Sequence, residues 1–215
     1  MRWLRLLLIP PMAIALSAVV IAGHYYYSIL YGHVGTHKYR SDPPDLSERA
    51  RLREKVFALR AFGNRKKFNQ RLFFLIDMKL PSGRNRFFVY DAMHDSIIRS
   101  GLVAHGHGPA GYSFYPRFSN SCGSSCTALG RYQIGACYHG IFGIAYKLYG
   151  LDSTNSNSLS RHIVLHAHDC VPDGETWPVP ICNSCGCAMT SPRFLEAIRP
   201  LIDTCSRPIL LWIFY

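Results

Sequence analysis

The chain has 215 residues, 48% of them hydrophobic and 13% aromatic, which supplies one domain with a real core and excludes a largely disordered protein. The formal net charge is +11, but no zinc-finger spacing, helix-turn-helix pattern or single-strand-binding signature accompanies it, so nucleic acid is not an expected partner. Much of the charge lies between Arg49 and Arg71, and it reads as a solvated helix face in preference to a surface for lipid headgroups or an anionic polymer.

Arg2 and Arg5 stand before an apolar run from Leu6 to Ala22 that no charge interrupts. Such a segment is a signal peptide or a signal anchor. Val20-Ile21-Ala22 is a tolerable cleavage site, but Gly23 and Tyr25-Tyr26-Tyr27 lengthen the run toward a bilayer span. Residues 1–31 are therefore expected to remain as a membrane helix, with the rest of the chain exported to the periplasm. Residues 32–70 read as a linker and a basic amphipathic helix. Gly32 to Pro44 is the linker, Ser47 is the expected cap, Leu52, Val56 and Leu59 recur at helical spacing, and Gly63 suits the position past the helix end.

From Arg71 onward, the catalytic part of the chain on this reading (71–215), the apolar period becomes two. Phe74, Ile76, Met78 and Leu80 alternate with Leu75, Asp77 and Lys79, Pro81 to Asn85 turn the chain, and Phe87 to Ala92 return as the second arm of a hairpin. Ile97 to His105 is expected as a third strand, with Tyr132–Gly135 and His162–His166 as further short ones. Between them, His107 to Cys126 is a long Gly- and Ser-rich loop with Tyr112, Phe114, Tyr115 and Phe118, either a substrate wall or a surface loop pinned by its own rings. Ser191-Pro192 opens a helix with Phe194, Leu195, Ile198, Leu201 and Ile202 as its apolar face. Pro208 to Tyr215 is apolar enough to belong in the middle of the core. The expected class is mostly β with a few short helices.

The densest chemical signal is Ser184-Cys185-Gly186-Cys187. A cysteine nucleophile needs a base to make the thiolate, and backbone N–H groups to receive the oxyanion; a glycine allows a tight turn beside a substrate carbonyl. His166, at the end of its strand, is the available base, although spacing alone does not bring it to Cys187. Eight cysteines also allow a zinc site: Cys182, Cys185 and Cys187 with Cys170 and His168, or Cys122 with Cys126. Export argues against it, because oxidising compartments favour disulfides over thiolate ligands, so no metal and no cofactor are expected.

Five segments resemble the murein L,D-transpeptidase catalytic domain family, with the YkuD-type fold. They are Gly101 to Gly106, Phe118-Ser119-Asn120, Cys126 to Gly135, Arg161 to His166, and Ser184 to Cys187, in that order. The resemblance implies a mostly β sandwich acting on peptidoglycan stem peptides, as a transpeptidase or an L,D-carboxypeptidase. It implies Cys187 as nucleophile and His166 as base, with Ser184 and Gly186 shaping the nucleophile loop and oxyanion hole. Two positions depart from the pattern. Ala167 follows the histidine where Gly or Ser is common, leaving only its backbone carbonyl to orient the imidazole. Cys185 sits between Ser184 and Gly186 and puts a second thiol beside the nucleophile. Arg161, Arg131 and His105 are candidate substrate contacts, the arginines through bidentate bonds to a stem carboxylate.

Overall fold

Strand β1 (Leu72–Asp77) is buried along its whole length, and this sets the architecture. Leu72, Phe74 and Ile76 join one apolar cluster while Phe73 and Leu75 join another, so the sheet needs a cover on each face. In the computed structural model, which describes residues 45–64 and 68–215, helix α1 (Leu46–Asn64) covers one face by burying Leu52, Val56 and Leu59. On the other face the sheet folds over itself and over α2 (Pro192–Asp203), which buries Phe194, Leu195 and Ile198. The membrane segment expected over residues 1–31 lies outside the described residues. Among those described, no helix is long and apolar enough to cross a membrane.

The other strands are β2 (Phe87–Asp91), β3 (Ser96–Gly101), β4 (Val103–Ala104), β5 (Gly130–Gly140), β6 (Gly143–Gly150), β7 (Val164–Ala167), β8 (Ala188–Thr190) and β9 (Leu210–Phe214). They form one mixed sheet in the order β3-β2-β1-β9-β5-β6-β7-β8-β4. Neighbours are antiparallel except β1 with β9 and β7 with β8. The protein is thus mostly β-sheet with two α-helices among the described residues. Strand β9 is central, between β1 and β5, as its apolar sequence requires.

The two outer strands, β3 and β4, are separated in the chain by Leu102 alone. A sheet whose opposite edges are joined by one residue must curl until those edges meet. The single strand expected over Ile97–His105 is therefore two strands, one on each edge. Buried Arg86 holds the junction: its guanidinium donates from Nε and Nη2 to the Val103 carbonyl and from Nη1 to that of Leu80, and its backbone N–H donates to Gly101. These bonds satisfy carbonyls that the break in pairing would leave without donors.

Three local expectations change. Asp45 caps α1 in place of Ser47: its carboxylate accepts from the Glu48 N–H at 2.7 Å, and Glu48 accepts in return from the Asp45 N–H at 3.2 Å, the reciprocal bonds of a capping box. Ser47 only supports this, donating to Asp45. The basic side of α1 is also not wholly solvated. Arg51 folds back onto Asp77, which is 1% exposed, and the Lys55 ammonium lies over the Trp212 and Phe214 rings. Finally, the strand expected at Tyr132–Gly135 extends to Gly140 and returns as β6, which no strong alternation announces.

Candidate active site

Ser184 explains why a serine stands three places before the cysteine. Its hydroxyl donates to the Cys187 carbonyl at 2.8 Å and accepts from the Gly186 N–H at 3.1 Å, so one side chain ties both ends of the turn. Its backbone ties the turn to the strap that follows β4: Ser184 N–H donates to the His105 carbonyl, and His107 N–H donates to that of Ser184. Gly186 has φ +111°, and a Cβ there would stand 2.7 Å from the Cys126 carbonyl oxygen, so no other residue fits without moving that loop. Because the Gly186 N–H is committed to Ser184, it does not face an open oxyanion position in this conformation.

Strand β8 begins immediately after Cys187 and runs parallel to β7, with Leu165 opposite Ala188 and His166 opposite Met189. Cys187 is therefore offset by two positions from His166 on the neighbouring strand. With strands about 4.8 Å apart and a rise of about 3.3 Å per residue, this places their Cα atoms roughly 8 Å apart. No hydrogen bond joins the two side chains: the Cys187 thiol donates instead to the His162 carbonyl at 3.7 Å. Burial pushes that thiol up from its ordinary value, against bonding from the Val164 backbone and the attraction of Arg161. Burial likewise pushes the His166 imidazole down. The resting pair is thus a neutral thiol beside a neutral imidazole, the protonation states from which a base can take the thiol proton.

His166 is held on two sides. Its Nδ1 donates to the Ala167 carbonyl at 3.1 Å, because a carbonyl can only accept; this leaves Nε2 as the basic nitrogen. The Phe142 ring, at the tip of the β5–β6 hairpin, stacks on the imidazole with centroids 4.9 Å apart and planes at 20°. The same ring meets His168 edge-on at 5.8 Å.

The other sequence candidates have different surroundings. Arg161 donates to the Ser119 and Cys126 carbonyls at 2.8 and 2.6 Å and to Ser124 at 3.3 Å, which fastens the 119–126 loop beneath Gly186. It lies next to the Gly186 turn with donors taken by protein carbonyls and a hydroxyl. Arg131 is not brought to Cys187: it pairs with Asp152 and lies over the Phe62 ring of α1, on the helix-covered face. His105 is buried, with Nδ1 accepting from Arg86 at 2.9 Å and Nε2 donating to the Ser113 carbonyl at 3.0 Å. Burial, reinforced by the Arg86 charge, pushes it down to about 4, so it is neutral and anchors the aromatic loop. That loop is pinned by its rings in part, with Tyr112 against Phe114 and Phe118 against Tyr215. Phe114 and Tyr115 of this loop, with Trp177 from another segment, line a cavity of about 340 Å³ whose lining includes neither Cys187 nor His166.

Sequence reasoning missed Arg86 and Phe142. Arg86 left one faint mark, a cation directly before an apolar strand. Phe142 left none, since its partner is more than twenty residues away and on another strand. The zinc alternative loses two ligands at once, because Cys170 and Cys182 are joined in a disulfide.

A curled mixed sheet that presents a Ser-x-Gly-Cys turn beside a histidine strand defines a class of cysteine-site protein. The family model described as the L,D-transpeptidase catalytic domain matches residues 45–214, and the chain belongs to that family. The match takes in α1 as well as the sheet. No curated protein matches the chain. Among solved structures, the chain is similar to the Ldtfm–avibactam carbamoyl enzyme (12% identity, TM-score 0.40, 68% of this chain and 50% of that one). It is also similar to an L,D-transpeptidase from Mycobacterium smegmatis (13%, 0.39, 67% and 59%). A third is the helical cell shape determining protein Pgp2 from Campylobacter jejuni (13%, 0.40, 66% and 47%). The chain thus spans about half the length of these proteins.

Proposed function

We propose that the protein is an L,D-transpeptidase-type cysteine acyltransferase acting on peptidoglycan stem peptides, with Cys187 as nucleophile and His166 as general base. The observation that carries this reading is the turn built by Ser184, which delivers Cys187 to the strand beside His166. Family membership supplies the reaction class. The thiol leaves the His162 carbonyl and gives its proton to His166 Nε2. Its sulfur then attacks the carbonyl at the L-centre of a diamino acid in a tetrapeptide stem. His166 returns the proton to the departing D-alanine nitrogen, and a thioester remains on Cys187. An amine from a second stem completes a cross-link, whereas water completes L,D-carboxypeptidase turnover. The chemistry uses a thiol and an imidazole and calls for no cofactor.

The same proposal places the domain outside the cytoplasm, tethered to the membrane through residues 1–31. The uninterrupted apolar run supports the tether, and the Cys170–Cys182 disulfide supports an oxidising compartment. Incubating the full chain with purified stem tetrapeptide, followed by mass spectrometry, tests the reaction. A cross-linked dimer establishes the transpeptidase and free D-alanine with a tripeptide the carboxypeptidase. Unchanged tetrapeptide overturns both.

A further inference from the structure

The nucleophile turn carries two thiols, and they differ in every property that governs reactivity. Cys187 is half-buried, with its hydrogen engaged by a carbonyl. Cys185 is exposed, and its Sγ stands 3.7 Å from Nε2 of His107. The Nδ1 of His107 faces the Gly108 carbonyl, which can only accept, so Nδ1 carries the hydrogen and Nε2 is the bare, basic nitrogen. The imidazole is therefore already in the tautomer that takes a proton from Cys185. His107 is itself fixed by its backbone bond to Ser184. An exposed thiol in contact with a basic nitrogen reacts with electrophiles ahead of a half-buried thiol whose hydrogen is held by a carbonyl.

The two cysteines stand only two residues apart, which limits the separation of their Cα atoms to about that of a disulfide. Residues i and i+2 are at most about 7.2 Å apart in a fully extended chain, and disulfides need roughly 4.4–6.8 Å between Cα atoms. Between them Gly186 sits at φ +111°, which takes the segment out of the extended conformation, and Cys185 is near enough to add to the upward push on the Cys187 thiol. Three residues upstream of Cys185, Cys182 is already oxidised in its bond to Cys170, so it is not the free partner.

We infer that Cys185 and His107 form a second reactive site, a peroxide-reactive thiol–imidazole pair whose oxidation product is a Cys185–Cys187 disulfide that caps the nucleophile. This rests on the reading of Cys187 as nucleophile only for its consequence, and not for its chemistry. His107 Nε2 takes the Cys185 proton, and the thiolate attacks one oxygen of hydrogen peroxide. The S–O bond forms, the O–O bond breaks, and the departing hydroxide takes the proton from His107 to become water. The Cys187 sulfur then attacks the sulfenic sulfur: the S–S bond forms, the S–O bond breaks, and hydroxide leaves with the Cys187 proton as a second water. Two thiols lose two electrons in all, and the peroxide gains them. The device keeps the nucleophile at the disulfide level, from which a thiol reductant recovers it, and away from the irreversible sulfinic acid.

The test is to expose the full chain to hydrogen peroxide, block remaining thiols, and map the peptide His162–Arg193 by fragmentation mass spectrometry. Wild type is expected to show a Cys185–Cys187 disulfide that dithiothreitol reverses. Cys185→Ala is expected to carry sulfinic acid on Cys187 that dithiothreitol does not reverse. His107→Ala and the milder His107→Gln, checked for folding by circular dichroism, are expected to slow disulfide formation at least about tenfold, the lower end of what a positioned base provides. A disulfide between Cys185 and Cys182, oxidation of Cys187 with Cys185 untouched, or a wild-type rate in both His107 variants overturns the proposal. Because the map needs no stem peptide, its outcome is separate from that of the proposed acyl transfer. If acyl transfer fails while the disulfide forms, the thiol pair stands and only its consequence for turnover is lost.

Discussion

Strands β1, β2 and β9 and the strands β6, β7 and β8 belong to one sheet but are stabilised differently. Every residue of β1 and β2 is buried, and Phe73, Phe88 and Leu210 lie under α1 while Phe74, Phe87 and Leu211 face the interior of the curl. That region is held by apolar burial, worth about 25 cal/mol per Å². Around β7 and β8 the strands have four and three residues; Leu165 and Ala188 join the interior cluster, but the loops that flank them are set by single polar bonds: Ser184 across its turn, Arg161 to the 119–126 loop, His105 between Arg86 and Ser113. Burial tolerates a change of side chain in proportion to the area lost. A polar tie fails as a unit, and it leaves an unpaired group behind.

The widest separation between the two regions is expected from Cys187→Ala set against Leu211→Ala. Loss of the nucleophile should lower turnover of stem tetrapeptide by roughly three orders of magnitude or more and leave the unfolding midpoint in urea nearly unchanged. Leu211→Ala, remote from the turn, should cost about 2–5 kcal/mol of stability and leave kcat of the folded fraction near wild type. Urea titration and product mass spectrometry on both variants check this. Appreciable turnover by folded Cys187→Ala would remove Cys187 from its proposed role.

The same division governs what the sequence revealed. Apolar burial leaves a periodic trace, so the hairpin from Phe74, the central position of β9 and the Ser191-capped helix α2 were all legible. Polar ties leave no periodicity, because each joins residues far apart in the chain. Nothing near Ile97–His105 signalled a change of sheet edge at Leu102, since the cause is Arg86, 17 residues before Val103. The Ser-x-Gly-Cys turn was legible because its tie is local, three residues long. Arg131 and His105 looked like substrate contacts because charge and a ring nitrogen show in a sequence, while Asp152, Phe62 and Arg86, which occupy them, do not show as partners.

A middle-sized effect follows from His105. Its imidazole is pushed from 6.5 down to about 4, mainly by burial. The unfolded chain therefore binds a proton that the folded one refuses between these values, and stability falls as pH drops from 6.5 toward 4. The interval corresponds to roughly 3 kcal/mol as an upper figure. This contribution is complete above pH 6.5 and lost by about pH 4. Urea midpoints measured across that range should fall in wild type and fall less steeply in His105→Gln, which keeps a donor for Ser113 and does not titrate. Parallel slopes in the two proteins would show that the acid limb arises elsewhere.

The smallest expected effect concerns the hairpin tip, where the sheet reaches furthest into the site. Phe142 is 54% exposed although its ring is stacked on His166, so one face meets solvent while the other shields the imidazole. Its neighbour Ile141 is 93% exposed and has no such partner in the stack. Burial is the main cause that lowers His166. Phe142→Ala returns water to the ring, so the imidazole should rise toward its ordinary value and be protonated at a higher pH. The acid limb of kcat/KM should therefore move upward, through an apparent value that belongs to the thiol–imidazole pair. At neutral pH the loss should be modest, about tenfold or less, because the Ala167 carbonyl still fixes the tautomer. Phe142→Tyr should keep the wild-type limb, and Ile141→Ala should leave both rate and limb unchanged. A Phe142→Ala enzyme with lower kcat but an unmoved acid limb would show that the ring supports the hairpin without tuning His166.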